Sequence, residues 1–193
     1  LCIIFVLQVI LLTAQKQVNV TEEAWLGILN QTRISEKWGF WLDAHYRRKS
    51  HFMEHPSLFI IRSGMTYYIH NDARVTTGYA YLNLYPGEGS ESVAQPEHRI
   101  WQQLQWYTKY DKIRLMQWLR LEERFRHKLL NDSELSDGFN FNYRVRYHLQ
   151  LTVPLTKKGF APGGWQAAVS DEVLMNFGKN VIYNTFDQNR LFI

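Results

Sequence analysis

The stretch FNFNYRVRYHLQLTV, Phe139 to Val153, is apolar at every odd position and polar at every even one. A period of two places successive side chains on opposite faces of an extended strand, and no helical stripe fits it. Its length exceeds the usual ~5 to 6 residues of a strand and passes the ~9 to 11 tilted residues with which a barrel strand crosses a bilayer. The polar face carries Arg144, Arg146 and His148. Such a face suits a wet barrel interior better than the apolar core of a sandwich.

Working outward, similar alternation marks strands at Ile113 to Phe125 and Glu97 to Tyr107 before this stretch, and at Gly164 to Asn176 after it. Further ones precede these at Trp25 to Ile34, Trp38 to Arg47, Leu58 to Ile69 and Arg74 to Tyr85, and a ninth begins at Asp187. The faces of Arg74 to Tyr85 stay unassigned, because tyrosines oppose alanine and leucines there. The connections read as alternately short and long, with Arg48 to Pro56, Pro86 to Pro96, the acidic His127 to Gly138 and Phe177 to Phe186 as the long ones and Pro154 to Gly163 as medium. Short turns at one end and longer loops at the other are the habit of outer-membrane barrels. The short turns are expected on the side where the N-terminus starts, ringed by Trp25, Trp38, Tyr67, Tyr68, Trp106, Tyr107, Tyr110 and Trp165. The fold class expected is all-β, an antiparallel up-and-down transmembrane β-barrel of at least nine strands.

Composition narrows the field. The 193 residues are 46% hydrophobic and 15% aromatic, which excludes disorder for most of the chain. A mean hydropathy of -0.34 and no internal run of 18 apolar residues exclude a bundle of membrane helices, but not a barrel, whose alternating strands average to polar. The net charge of +4 is spread along strands among acids, without a basic run, so nucleic acid is not an expected partner. Residues 1–15 open with LCIIFVLQVILL and read as a signal peptide cleaved after Ala14, leaving 16–193 as a single barrel domain. Cys2 is the single cysteine and lies in that leader, so no disulfide framework or thiolate site is expected in the remainder.

The blocks EHRIWQQ (Glu97 to Gln103), RLEERF (Arg120 to Phe125), NYRVRY (Asn142 to Tyr147), DEVLMNFGKN (Asp171 to Asn180) and FDQNR (Phe186 to Arg190) resemble an uncharacterised family. It is a numbered domain-of-unknown-function group of envelope proteins. The resemblance covers roughly Gln31 onward and implies an outer-membrane barrel with no known activity, cofactor or catalytic residue. It also implies further strands after FDQNR, so the C-terminal strand or strands of the barrel are expected to be missing here.

Charges on the polar faces are the candidate functional residues. Arg99, Arg120, Glu122, Arg124, Arg144, Arg146, His148 and Glu172 are expected to form an inward network, in which Glu122 pairs with Arg144 or Arg146 and Glu172 completes the lattice. Arg62, Gln103, Gln105, Arg114 and Arg190 share the inward face. A narrow barrel fills its interior with side chains, whereas only wide ones leave an aqueous channel. His98, His148 and Ser170 are the one remotely suitable hydrolytic trio, at no motif spacing. His45, His51 and His55 with Glu54 crowd the first long loop, and imidazole clusters bind zinc or copper, but His51 and His55 are expected on a flexible surface loop. No catalytic residue, cofactor or metal is therefore assigned. The expected function is an outer-membrane structural or interaction barrel, meeting outer-membrane lipid and, through long loops, other envelope proteins. A narrow pore for small polar or anionic solutes is the alternative, followed by an envelope lipid-modifying enzyme or a soluble lipocalin-like barrel.

Overall fold

The computed structural model describes residues 22–50, 53–87, 91–179, 181 and 185–193. The expected leader and its Cys2, like His51, lie outside the described residues. The described residues form nine strands: β1 (Glu23–Arg33), β2 (Trp38–Lys49), β3 (His55–His70), β4 (Ala73–Leu84), β5 (Gln95–Lys109), β6 (Arg114–Asn131), β7 (Glu134–Pro154), β8 (Gln166–Phe177) and β9 (Phe186–Phe192). Each pairs antiparallel with its neighbours in chain order, giving one nine-stranded up-and-down sheet. No helix occurs among the described residues.

The sheet curls without closing. Among the described residues no ladder joins β1 to β9, so the all-β antiparallel sheet is an open, curled half-barrel, in keeping with the expectation that further strands are missing from the barrel. The curl brings the Trp41 ring of β2 to 5.8 Å from the Trp101 ring of β5, and the guanidinium of Arg120 on β6 to 5.8 Å from Trp41. Its concave face is set by strand phase: Trp41, Asp43, Ile60, Arg62, Ala80, Leu82, Glu97 and Arg99 turn inward, whereas Leu42, Ile61, Tyr79 and Ile100 turn outward.

That phase settles β4, whose faces the pattern left open. Thr76, Gly78, Ala80 and Leu82 lie on the concave side, under Trp101. The ring needs room there. A Cβ at Gly78 would sit 2.0 Å from the Ser63 carbonyl and 2.9 Å from Trp101, and one at Gly64 would meet the same ring at 3.0 Å. Two adjacent glycines thus make the shelf on which the largest fully buried side chain rests.

The connections depart from the expected alternation. At the end that holds the β1–β2 turn, the connections are residues 34–37, 71–72, 110–113 and 155–165, while the opposite end holds 50–54, 85–94, 132–133 and 178–185. The one expected to be long and acidic, His127 to Gly138, is strand on both sides of a two-residue turn, Asp132–Ser133, with Asn131 Oδ1 accepting from Ser133 N at 2.8 Å. β6 and β7 therefore project as an arm beyond the last β5 and β8 pairs, Glu97–Arg126 and Tyr143–Phe177. Most short turns lie at the end away from the start of β1, not beside it. Trp25 sits near that start, opposite the other expected girdle aromatics, and Arg47 stacks on it at 3.7 Å. Tyr107 faces inward and bonds to Arg74 and Gln105. Trp38, Tyr67, Tyr110 and Trp165 are exposed at the end of the β1–β2 turn.

Candidate functional site: the charged concave face

From β5 to β9 the concave face is ionic, because these strands place arginines, acids or both at alternate positions with the same inward phase. Arg99 and Arg124 stand directly opposite each other on β5 and β6, as do Arg120 and Arg146 on β6 and β7. Like charges in that position repel. The carboxylates sit diagonally between them and reconcile the pairs.

Glu97 is fully buried and gathers three guanidiniums: Oε1 accepts from Arg99 Nε and from Arg124 Nε at 2.7 Å, and Oε2 from Arg126 Nε at 2.6 Å and Arg124 Nη2 at 3.1 Å. Glu122 is the second node. Its Oε2 accepts from Arg99 Nη1 at 3.1 Å and its Oε1 from Arg146 Nη1 at 3.0 Å, with Arg120 Nη1 at 3.9 Å. Arg146 continues to Glu172, donating from Nε at 2.6 Å, and Arg190 Nη1 stands 3.9 Å from the other oxygen of Glu172.

The register partner of Glu122 is Arg144, yet their side chains form no ion pair. Arg144 instead donates from Nε to Asn176 Oδ1 at 2.9 Å and meets Asp187 at 2.8 Å. The lattice therefore runs Glu122–Arg146–Glu172, so of the two expected partners of Glu122 it is Arg146 that makes the pair. Arg120 donates from Nε to Gln103 Oε1 at 2.8 Å, and its guanidinium lies 4.8 Å from the Trp101 ring and 5.0 Å from that of Trp118. His148 stacks on Trp118, centroids 4.9 Å apart and planes at 6°.

Other sequence candidates do not assemble. His98 faces outward against Tyr79, Tyr81 and Phe139, on the opposite side of the sheet from His148 and Ser170, so the hydrolytic trio is never brought together. His55 is the first residue of β3, not a loop residue. It pairs with Lys49, four residues from His45, a separation of about 13 Å at strand spacing. Among the described residues no group of acids, histidines or cysteines is placed to hold a metal. Three acids of the site were missed. Glu97 and Asp43 share strand parity with Arg99 and His45, a signal present in the sequence. Asp187 had none, because a register shift beside Leu174 carries it inward.

The sequence profile of a family described as a protein of unknown function, DUF2490, matches residues 22–193. The chain belongs to the DUF2490 family. No curated protein and no solved structure matches it. The DUF2490 match runs through all nine strands and so includes both nodes of the lattice, Glu97 and Glu122. Membership of an uncharacterised family is what the sequence blocks implied.

Proposed function

We propose that this DUF2490 chain forms the wall of an outer-membrane β-barrel whose role is structural or interactive and whose interior is filled by the charge lattice. The carrying observation is the polarity of the two faces. Ile61, Met65, Tyr79, Ile100, Leu104 and Leu119 stand exposed on the convex side, whereas Glu97, Arg99, Arg120, Glu122 and Arg124 are buried on the concave side. A soluble barrel has the reverse arrangement, and a lipid-facing wall has this one. Exposed Trp38 and Tyr67, whose rings meet at 5.1 Å, fit an interfacial position at the end of the β1–β2 turn.

Two carboxylates break the outer belt: Glu123, opposite Ile100, and Asp171, which accepts from Asn189 Nδ2 at 2.7 Å. The reading also requires closure of β1 onto β9, directly or through further strands, because an open sheet edge is not tolerated in hydrocarbon. A surplus of arginine on the concave face supports a narrow anion-selective pore as the second reading.

The test is fractionation of the full-length protein together with labelling of single cysteines. Recovery in the outer membrane, heat-modifiable gel mobility, and reaction of Leu149→Cys but not His148→Cys with a lipid-phase probe are expected. A soluble monomer obtained without detergent defeats the proposal and leaves the lipocalin-like barrel. Conductance in planar bilayers decides for the pore.

A further inference from the structure

The concave face holds a cavity of about 360 Å³ near the arm, within the range of ~300 to 1,000 Å³ typical of small-molecule sites. Its lining has two chemistries. Eight of the residues around it are arginines, including Arg47, Arg62, Arg126 and Arg144, while Leu58, Ile60, Leu82 and Leu84 form an aliphatic wall and Leu174 of β8 adds a further apolar side chain.

The charges do not balance. Seven of the eight guanidiniums meet five carboxylates within 4 Å, Asp43, Glu97, Glu122, Glu172 and Asp187, and Arg47 meets none among the described residues. Three positive charges are left over. Donors are left over as well. The buried Nε of Arg47 has no hydrogen-bond partner, and Arg62 Nε lies 3.1 Å from Asp43 without the alignment of a hydrogen bond. Arg126 is tied to Glu97 through Nε. Its side chain is 35% exposed.

Excess guanidinium groups beside a polar cavity call for an oxyanion, which their planar forks bind in bidentate fashion. A free inorganic anion would account for the arginines but not for the leucines. We propose that this cavity binds an anionic amphiphile, its phosphate or carboxylate head held by Arg47, Arg62 and Arg126 and its acyl chain laid against Leu58, Leu82 and Leu84. The proposal extends the barrel reading by giving the interior an occupant, but the cavity exists whether or not the convex face meets lipid.

Binding is read by native mass spectrometry of the full chain released from a neutral detergent, with dodecyl phosphate, inorganic phosphate and dodecyltrimethylammonium as probes. One dodecyl phosphate per chain is expected, with affinity more than about a hundredfold above inorganic phosphate because the chain buries apolar area. The cation should not bind. Replacing both Arg47→Gln and Arg126→Gln should weaken dodecyl phosphate about tenfold or more, and Leu84→Asn should weaken it without changing phosphate. Independently of any variant, dodecyl phosphate should raise the thermal midpoint of the wild type at fixed detergent, and the cation should not.

Equal affinity for inorganic phosphate would replace the amphiphile with a free oxyanion. Absence of dodecyl phosphate binding, or a folded double variant that binds it undiminished, overturns the site. Fractionation of the unliganded protein reads the membrane question separately, so a soluble protein that binds dodecyl phosphate defeats the barrel and keeps the cavity.

Discussion

Across β2 to β4 the concave face is mainly Trp41, Ile60, Ala80 and Leu82 packed around Trp101 of β5, with the Asp43–Arg62 ion pair beside them, whereas over the rest of β5 to β9 the same face is a lattice of guanidiniums and carboxylates. Both halves are buried and both follow the same alternation, yet they are held in different ways. The aromatic half depends on volume, because its Trp rests on glycines and a hydrophobe of similar shape could replace most of its members. The ionic half depends on identity and charge, since each carboxylate reconciles arginines that would otherwise repel. A shift of one residue in β6 or β7 would turn Arg120, Glu122, Arg144 and Arg146 outward, so the lattice also penalises wrong registers.

The largest expected break is in the ionic half. Glu97→Ala leaves Arg124 and Arg126 without a carboxylate and Arg99 with Glu122 alone, and Glu122→Gln removes the charge between Arg99 and Arg146. Each should cost about 3 to 5 kcal/mol, the usual effect of breaking a buried pair from one side. Thermal unfolding in detergent, followed by circular dichroism, measures it. Unchanged stability of Glu122→Gln with altered ion selectivity would mean that water already screens the lattice, and would favour the pore.

A smaller break comes from the aromatic half. Gly78→Ala drives a methyl group against the Ser63 carbonyl and Trp101, and overpacking of this kind costs about 1 to 3 kcal/mol. The same assay should show this loss to be insensitive to salt. If Gly78→Ala proves neutral, the Trp101 shelf is looser than its contacts indicate.

Within the ionic half, His148→Ala removes the ring stacked on Trp118 and should cost about 0.5 to 1.5 kcal/mol. Near-ultraviolet circular dichroism reports the Trp118 environment directly. A spectrum identical to wild type would show that the stack does not order that ring.

The extent to which the sequence disclosed this molecule follows from where alternation is undisturbed. Phe139 to Val153 keeps one phase throughout, so the inward placement of Arg144, Arg146 and His148 was readable residue by residue. The eight residues chosen for the network all lie on the concave face for the same reason. Residues 127–138 carry loop-like composition because register shifts beside Leu129 break the phase, and polar side chains coat a ribbon that has no neighbouring strand to pack against. β4 is ambiguous because apolar residues stand on both of its faces, Tyr79 and Tyr81 outward and Ala80, Leu82 and Leu84 inward. Gly78 and Ala80 give no apolar signal themselves, and their meaning comes from Trp101 on the next strand. Partner choice was the least legible: Arg144 and Arg146 are equivalent by parity, and only the arrival of Asp187 from β9 separates them.

The arm of β6 and β7 bears on how the chain folds. These are the two longest strands, of 18 and 21 residues, and only Asp132 and Ser133 separate them. Bringing their first pair together closes a minimal loop, and loop-closure entropy rises with the logarithm of the segment closed. Hairpins of this kind form within about 1 to 10 μs. Every other pairing also joins sequence neighbours, so each new strand can add to an edge already made. Assembly can therefore start at residues 132–133 and spread to both sides, with amide protection appearing first around Leu129 and Leu135 and last at the outermost strands, β1 and β9.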